Sequence, residues 1–93
     1  MKVIKRDNSV CDFDRKKIAI AISKANQAVD VEERITDKQI ESIVDDIASR
    51  HRLRVLVEDI QDMVEEKLME MQKYQLMKAY MIYRYERALI RKA

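Results

Sequence analysis

At 93 residues the chain is long enough for one modest hydrophobic core and too short for two. Hydrophobic residues make up 47% and charged residues 39%, which suits a folded globular domain and excludes a disordered tail. A formal net charge of +2 leaves no field broad enough to wrap a nucleic-acid duplex, although a local basic pocket is compatible with it.

The first element is a β-hairpin, with strands over 2–6 and 10–13 carrying the β-prone Val3, Ile4, Val10 and Phe13. The chain has no glycine and no proline, so the turn Asp7-Asn8-Ser9 must place Asn8 in the left-handed region that glycine would otherwise take. The same lack excludes a glycine-rich phosphate loop, whose backbone a Cβ would obstruct. Asp14 is the expected N-cap of a helix over 14–29, where Ile18, Ile22, Ala25 and Val29 recur at helical spacing. After a connector over 30–35, Thr36-Asp37-Lys38-Gln39 has the capping-box pattern. Ile40, Ile43, Val44 and Ile47 then form the apolar face of a second helix, which ends near Arg50.

The segment HRLRVLV, 51–57, predicts a short third strand that helps hold the hairpin. Glu58 and Asp59 open a third helix with Ile60, Met63, Val64, Leu68 and Met71 facing inward. A fourth helix is predicted from Tyr74 to Arg91, with Leu76, Ala79, Tyr80 and Tyr83 on one stripe. The order is ββ-α-α-β-α-α in a single domain, 1–93, without repeat, linker or low-complexity segment. No run approaches the roughly 18 apolar residues of a membrane span and no signal-like segment opens the chain, so the expected compartment is the cytoplasm.

Four groups are candidates for chemistry. The first is the basic cluster Lys2, Lys5, Arg6, Arg15, Lys16 and Lys17. Read simply, it is a solvated rim. Lysines in the first turn of a helix oppose its dipole, however, and a bound phosphate would relieve that conflict while using the free N–H groups. The second is Tyr80, Tyr83, Arg84 and Arg87, which share one face of the last helix. They are either core tyrosines with snorkelling arginines or an aromatic wall for a base with guanidinium groups for phosphate. His51 lacks a partner for a metal site and reads as a surface residue. Cys11, the single cysteine, has no neighbouring base and reads as a structural or surface thiol. The acidic pairs Asp45-Asp46 and Glu65-Glu66 read as solubilising charge, and no catalytic constellation emerges.

The opening VIKRDNSVCDFDRKKI resembles the signature of the ATP-cone, the N-terminal allosteric domain of ribonucleotide reductases, roughly V-x-K-R-D-G-x-x-x-x-F-D-x-x-K-I. It agrees at Val3, Lys5, Arg6, Asp7, Phe13, Asp14, Lys17 and Ile18. V-E-D-I-Q at 57–61 resembles the entry to the cone's third helix, and A-Y-M-I-Y-R-Y-E-R at 79–87 its closing helix. The resemblance spans essentially all 93 residues. It implies an α+β, mostly α fold in which a small N-terminal hairpin and a short third strand lid a four-helix bundle.

By the same resemblance, ATP or dATP, with Mg²⁺ on its phosphates, would bind between lid and helices as an allosteric effector. Lys5 and Lys17 would meet phosphates, and backbone around Val3 and Arg6 would hold base and sugar. Asp14 and Gln61 would line the pocket, Tyr83 would abut the adenine, and Arg84 and Arg87 would reach phosphates. Three positions depart from the pattern. Asn8 replaces the turn glycine, Cys11 stands where an acidic or other residue occurs, and Val57 replaces a hydroxyl residue that often contacts the nucleotide.

The implied partners are a catalytic reductase domain or subunit, with a homo-oligomer as a further state. The tail Y-R-Y-E-R-A-L-I-R-K leans toward the anaerobic branch. Two rival readings are the cone portion of a nucleotide-sensing repressor of reductase genes and a ligand-free helical interaction domain. The repressor family carries a four-cysteine zinc ribbon before its cone. This sequence starts at the cone and has one cysteine, so nucleic-acid binding is not expected of it. The ligand-free reading leaves the basic cluster unexplained.

Overall fold

The computed structural model describes residues 1–50 and 53–92. His51 and Arg52, and with them the surface reading of His51, lie outside the described residues. Strand β1 (Lys2–Ile4) and strand β2 (Val10–Asp12) form the expected hairpin, each shorter than the sequence predicts. Asn8 has φ 68°, the left-handed conformation that the turn requires. The Asp7 carboxylate accepts the Ser9 N–H at 2.9 Å and also the Ser9 hydroxyl. Those bonds hold the Asp7 acid below the usual carboxylate range.

Helix α1 (Arg15–Gln27) starts at Asp14, whose carboxylate accepts the Lys16 N–H at 2.9 Å. Its far end is clamped by Asn26. That side-chain amide donates to the Ile35 carbonyl at 2.8 Å and accepts the Ile35 N–H at 2.9 Å, which anchors a connector containing a 3-10 turn, Val31–Glu33. Helix α2 (Asp37–Ala48) has both arms of its capping box. The Thr36 hydroxyl accepts the Gln39 N–H at 3.1 Å, and the Gln39 side chain accepts the Thr36 N–H at 2.8 Å.

Strand β3 (Arg54–Leu56) is a shorter piece of the predicted 51–57 strand, because Val57 already belongs to helix α3 (Val57–Glu70). A tight turn leads to helix α4 (Tyr74–Lys92). In that turn Gln72 takes φ 60°, the Lys73 N–H reaches the Leu68 carbonyl and the Gln72 N–H reaches the Met69 carbonyl. These are the paired bonds of a Schellman C-cap, made here without glycine.

The sheet order is β2-β1-β3, with β1 antiparallel to β2 and parallel to β3. Cys11, Val3 and Val55 lie in register across it. Val3 and Val55 are buried and Cys11 is half-buried, so this row faces the helices. Cys11 is thereby the structural thiol of the two alternatives.

Helix α1 packs against α2 and α4, and α3 packs against the same two, closing a four-helix ring. Ile22, Val44, Ile47, Val64, Leu68 and Leu76 are fully enclosed at its centre. With β2 leading into α1 and β3 into α3, the sheet lids the end of the ring where α1 and α3 begin and α4 finishes. At the opposite end the Lys73 ammonium donates to the Glu32 carbonyl at 2.9 Å, tying the α3–α4 turn to the α1–α2 connector. This is the α+β, mostly helical, lidded bundle that the sequence predicts.

Candidate functional site

The expected site residues fall on the segments that meet at the lidded end. Val3 is the central inward residue of β1, opposite Cys11 and Val55. Ladder bonds at 1–13 and 5–9 make Val3–Cys11 a hydrogen-bonded pair, which leaves the Val3 side chain to the core. Lys5 is one step past β1, half-buried, its N–H donating to the Ser9 carbonyl at 2.8 Å. Arg6, in the turn, pairs with Glu58 in the first turn of α3 at 3.1 Å. That ion pair holds the tip of the hairpin against the helix ring. Asp14 caps α1, Lys17 closes its first turn, and Val57 and Gln61 lie in the first two turns of α3.

The first turn of α1 carries Arg15, Lys16 and Lys17 and no acidic residue. Half of the basic cluster is committed to the fold. Lys2 pairs with Asp12, Arg6 with Glu58, and Arg15 with Glu41 and Asp45 of α2. The Lys2 bond and its charge hold the Asp12 acid below its ordinary range. Among the described residues Lys5, Lys16, Lys17 and Arg87 form no ion pair. The solvated-rim reading covers the first group. Of the second, Lys16 and Lys17 stand exposed in the first turn of α1, where the helix dipole disfavours cations, and the rim reading gives no reason for that placement.

On the opposite wall, α3 and α4 are joined by one guanidinium group. The Arg84 Nε–H donates to the Glu65 carboxylate at 2.7 Å, and an Nη1–H donates to the Gln61 side-chain oxygen at 3.0 Å. Glu65 retains only 8% exposure, so its carboxylate sits in the protein and not on a polar face. This corrects the sequence reading of Glu65 as solubilising charge, while its neighbour Glu66 is exposed. The available signal was spacing: Glu65 lies four residues after Gln61 and three before Leu68, on the seam facing α4.

Asp46 likewise does more than solubilise. It pairs with Arg50 at 3.0 Å and Lys67 at 3.4 Å, and the Arg50 bond, followed by Lys67, lowers its acid. Tyr80, at 3% exposure, is core, and burial together with the nearby Glu65 charge pushes its phenol well above the ordinary range. Tyr83 and Arg84 are half-buried at the margin of that core, and Arg87, one turn further along α4, is exposed. Of the two readings of this face, Tyr80 fulfils the core one, and Tyr83, Arg84 and Arg87 keep accessible surface.

A separate open cleft of about 340 Å³ lies between α1 and α2, lined by Ala19, Ile20, Ser23, Asp37, Ile40 and Glu41. It contains none of the expected site residues. Among the described residues no group of three or more acidic, histidine or cysteine side chains could hold a metal, and no helix is long and apolar enough to cross a membrane.

A small mixed sheet lidding a four-helix ring, with cations that form no ion pair among the described residues at the lidded end, defines a compact α+β domain. The family described as ATP cone domain matches residues 1–89. Similar proteins include the anaerobic ribonucleoside-triphosphate reductase of Haemophilus influenzae, 37% identical over 96% of this chain and 13% of that protein. The vitamin B12-dependent ribonucleoside-diphosphate reductase of Thermoplasma acidophilum is 36% identical over 97% of this chain and 12% of its own length. The ribonucleoside-diphosphate reductase subunit alpha of Chlamydia trachomatis is 32% identical over 98% and 10%.

The chain belongs to the ATP-cone family. It is thus a nucleotide-binding regulatory module and not a catalytic domain. It spans 10–13% of the length of these relatives.

Proposed function

We propose that this chain, acting as one domain over residues 1–93, binds ATP or dATP at its lidded end and reports the occupancy to a ribonucleotide reductase catalytic domain or subunit. The observation that supports this reading is the first turn of α1, which carries Arg15, Lys16 and Lys17 and no acidic residue, together with Lys5 in the hairpin, which makes no ion pair among the described residues. An anion near that helix start meets a favourable dipole and ammonium charge, although the Lys16 and Lys17 N–H groups are already engaged by Asp14.

In this proposal Lys5 and Lys17 contact phosphates from the lid side, and Arg87 and the remaining N–H groups of Arg84 contact them from α4. Asp14, Val57 and Gln61 line the wall, Tyr83 abuts the base, and backbone at Arg6, past the end of β1, supports base and sugar, while Val3, whose backbone is paired with Cys11, holds the strand that carries it. Mg²⁺ would arrive on the phosphates, since the donor set here is cationic and offers it no carboxylate cluster. The nucleotide supplies negative charge that neutralises the site and bridges hairpin to α4. Binding would then shift the population of an interdomain or homo-oligomeric state, which is the coupling that allosteric regulation requires. The α4 tail and one of the three relatives support a reductase of the anaerobic class as the parent, with the cytoplasm as its expected compartment.

Calorimetric titration with ATP, dATP and GTP, each with Mg²⁺, tests the reading. Adenine nucleotides should bind with a stoichiometry of at least one and GTP should bind poorly. Equal heats for ATP and GTP would reduce the site to a generic anion site, and no heat from any of them would remove it.

A further inference from the structure

The buried pair on the α3–α4 wall has a consequence for the ligand. Arg84 carries five N–H donors in a rigid fork. One is committed to Glu65 at 2.7 Å and one to the Gln61 oxygen at 3.0 Å. A free glutamine side chain is ambivalent, since its amide can turn to offer either an acceptor or two donors. Here the guanidinium engages the oxygen and fixes which end faces away. The Gln61 Nε2 group makes no hydrogen bond among the described residues, and Gln61 sits half-buried in the second turn of α3. The anchor of the arrangement is Glu65, the one buried charged residue among those described.

We infer that Glu65 is a positioning residue for the nucleotide site: through Arg84 it locks the Gln61 amide so that Gln61 reads the ligand only as a hydrogen-bond donor. The ligand atom opposite it is an acceptor, either a phosphate oxygen or an oxygen or unprotonated nitrogen of the nucleoside. A relay of this kind pre-organises the contact, because Gln61 does not have to be ordered when the ligand arrives. It also keeps Arg84 in place with donors to spare. This inference rests on the nucleotide-binding reading and extends it by giving the wall a fixed polarity.

Electrostatics and positioning predict opposite outcomes for one substitution. Removing the negative charge of Glu65 near an anion site should by itself tighten ATP binding. Loss of positioning weakens it. Glu65→Gln keeps the shape and an acceptor for Arg84 but loses the charge-assisted bond. It should weaken ATP binding about fivefold, the factor for ordering one long side chain anew on binding. In a Gln61→Ala background the same substitution should change affinity less than about twofold, since the side chain that it positions is gone. Gln61→Glu keeps an acceptor for Arg84 and offers the ligand no donor, so it should lose at least about tenfold in affinity with an undiminished melting temperature.

Repeating the Gln61→Glu comparison with adenosine separates the two acceptor sources. A loss for adenosine, which carries no charge to repel, assigns the nucleoside, and an unchanged adenosine affinity assigns a phosphate oxygen only if Gln61→Met, which adds no charge, also weakens ATP. Tighter or unchanged ATP binding by Glu65→Gln, or an equal effect in both backgrounds, overturns the relay.

A measurement without nucleotide separates this inference from the reading beneath it. In ¹H–¹⁵N spectra of the ligand-free chain, the Arg84 Nε–H should be shifted downfield and exchange slowly, and both features should vanish in Glu65→Gln. A fast-exchanging Arg84 Nε–H overturns the latch even if ATP binds. If the latch is present but wild-type protein binds no ATP, the nucleotide reading fails and the donor assignment of Gln61 falls with it.

Discussion

Replacing Arg84 by leucine removes the guanidinium from Glu65 and leaves a carboxylate with 8% exposure facing apolar neighbours. Breaking a fully buried ion pair by deleting one member costs about 3–5 kcal/mol. Arg84 keeps 25% of its side-chain surface. Water therefore reaches the margin of the pair, and about 2–3 kcal/mol is the loss expected. The double substitution Glu65→Leu with Arg84→Leu removes both charges and fills the same space with hydrocarbon. It should return to within about 1 kcal/mol of wild type, because an orphaned buried charge costs more than a deleted pair.

Urea unfolding followed by far-ultraviolet circular dichroism reads both variants, with an unchanged denaturant slope as the check that only stability moved. In a thermal scan the single variant should melt about 10–20 °C lower. A loss below about 0.5 kcal/mol for Arg84→Leu, the figure for a surface pair, would refute the buried character of this contact. So would a double variant no more stable than the single one.

Four further outcomes are expected. Lys17→Ala should weaken ATP binding by about 1.5–3 kcal/mol in calorimetry, the range for a hydrogen bond to a charged group, and an unchanged dissociation constant would remove Lys17 from the phosphate site. ATP at 100 times its dissociation constant should stabilise the fold by about 2.7 kcal/mol, raising the melting temperature by about 10 °C or more. Hydrogen exchange of residues 2–13 should slow at the same time, and hairpin amides unprotected by bound ATP would contradict the lid. The Tyr80 phenol is raised by burial above its unfolded value of 10.0, so its contribution to stability is whole below that pH and is lost as pH rises further. Alkaline unfolding should show a decline of at most about 1.4 kcal/mol per pH unit from this group, absent in Tyr80→Phe; an identical slope in that variant would refute it. Gln72→Gly should raise stability by up to about 1 kcal/mol in urea, since glycine takes φ 60° without the Cβ penalty; no gain would mean that the Gln72 side chain offsets it.

The features legible in the sequence are those that act within a few residues. Asn8 at φ 68°, the Asp14 cap, both arms of the Thr36–Gln39 box and the apolar seams of α2 and α3 follow from turn chemistry and helical spacing. With the opening motif they suffice to place the hairpin, the helices and the family. Strand β3 was legible as a strand, but its parallel pairing to β1 depends on the whole α1–α2 excursion returning to the same edge. Local pattern does not encode that return.

The fate of each charge was decided by tertiary structure alone. Lys2, Arg6 and Arg15 look like Lys5, Lys16 and Lys17 in sequence, yet their partners Asp12, Glu58, Glu41 and Asp45 lie 10 to 52 positions away. Glu65 and Glu66 are adjacent and chemically identical. The 100° step of the helix turns the first into the α3–α4 seam toward Arg84 and the second to solvent. Which carboxylate is buried depends on where a neighbouring helix packs, and that is a property of the assembled ring.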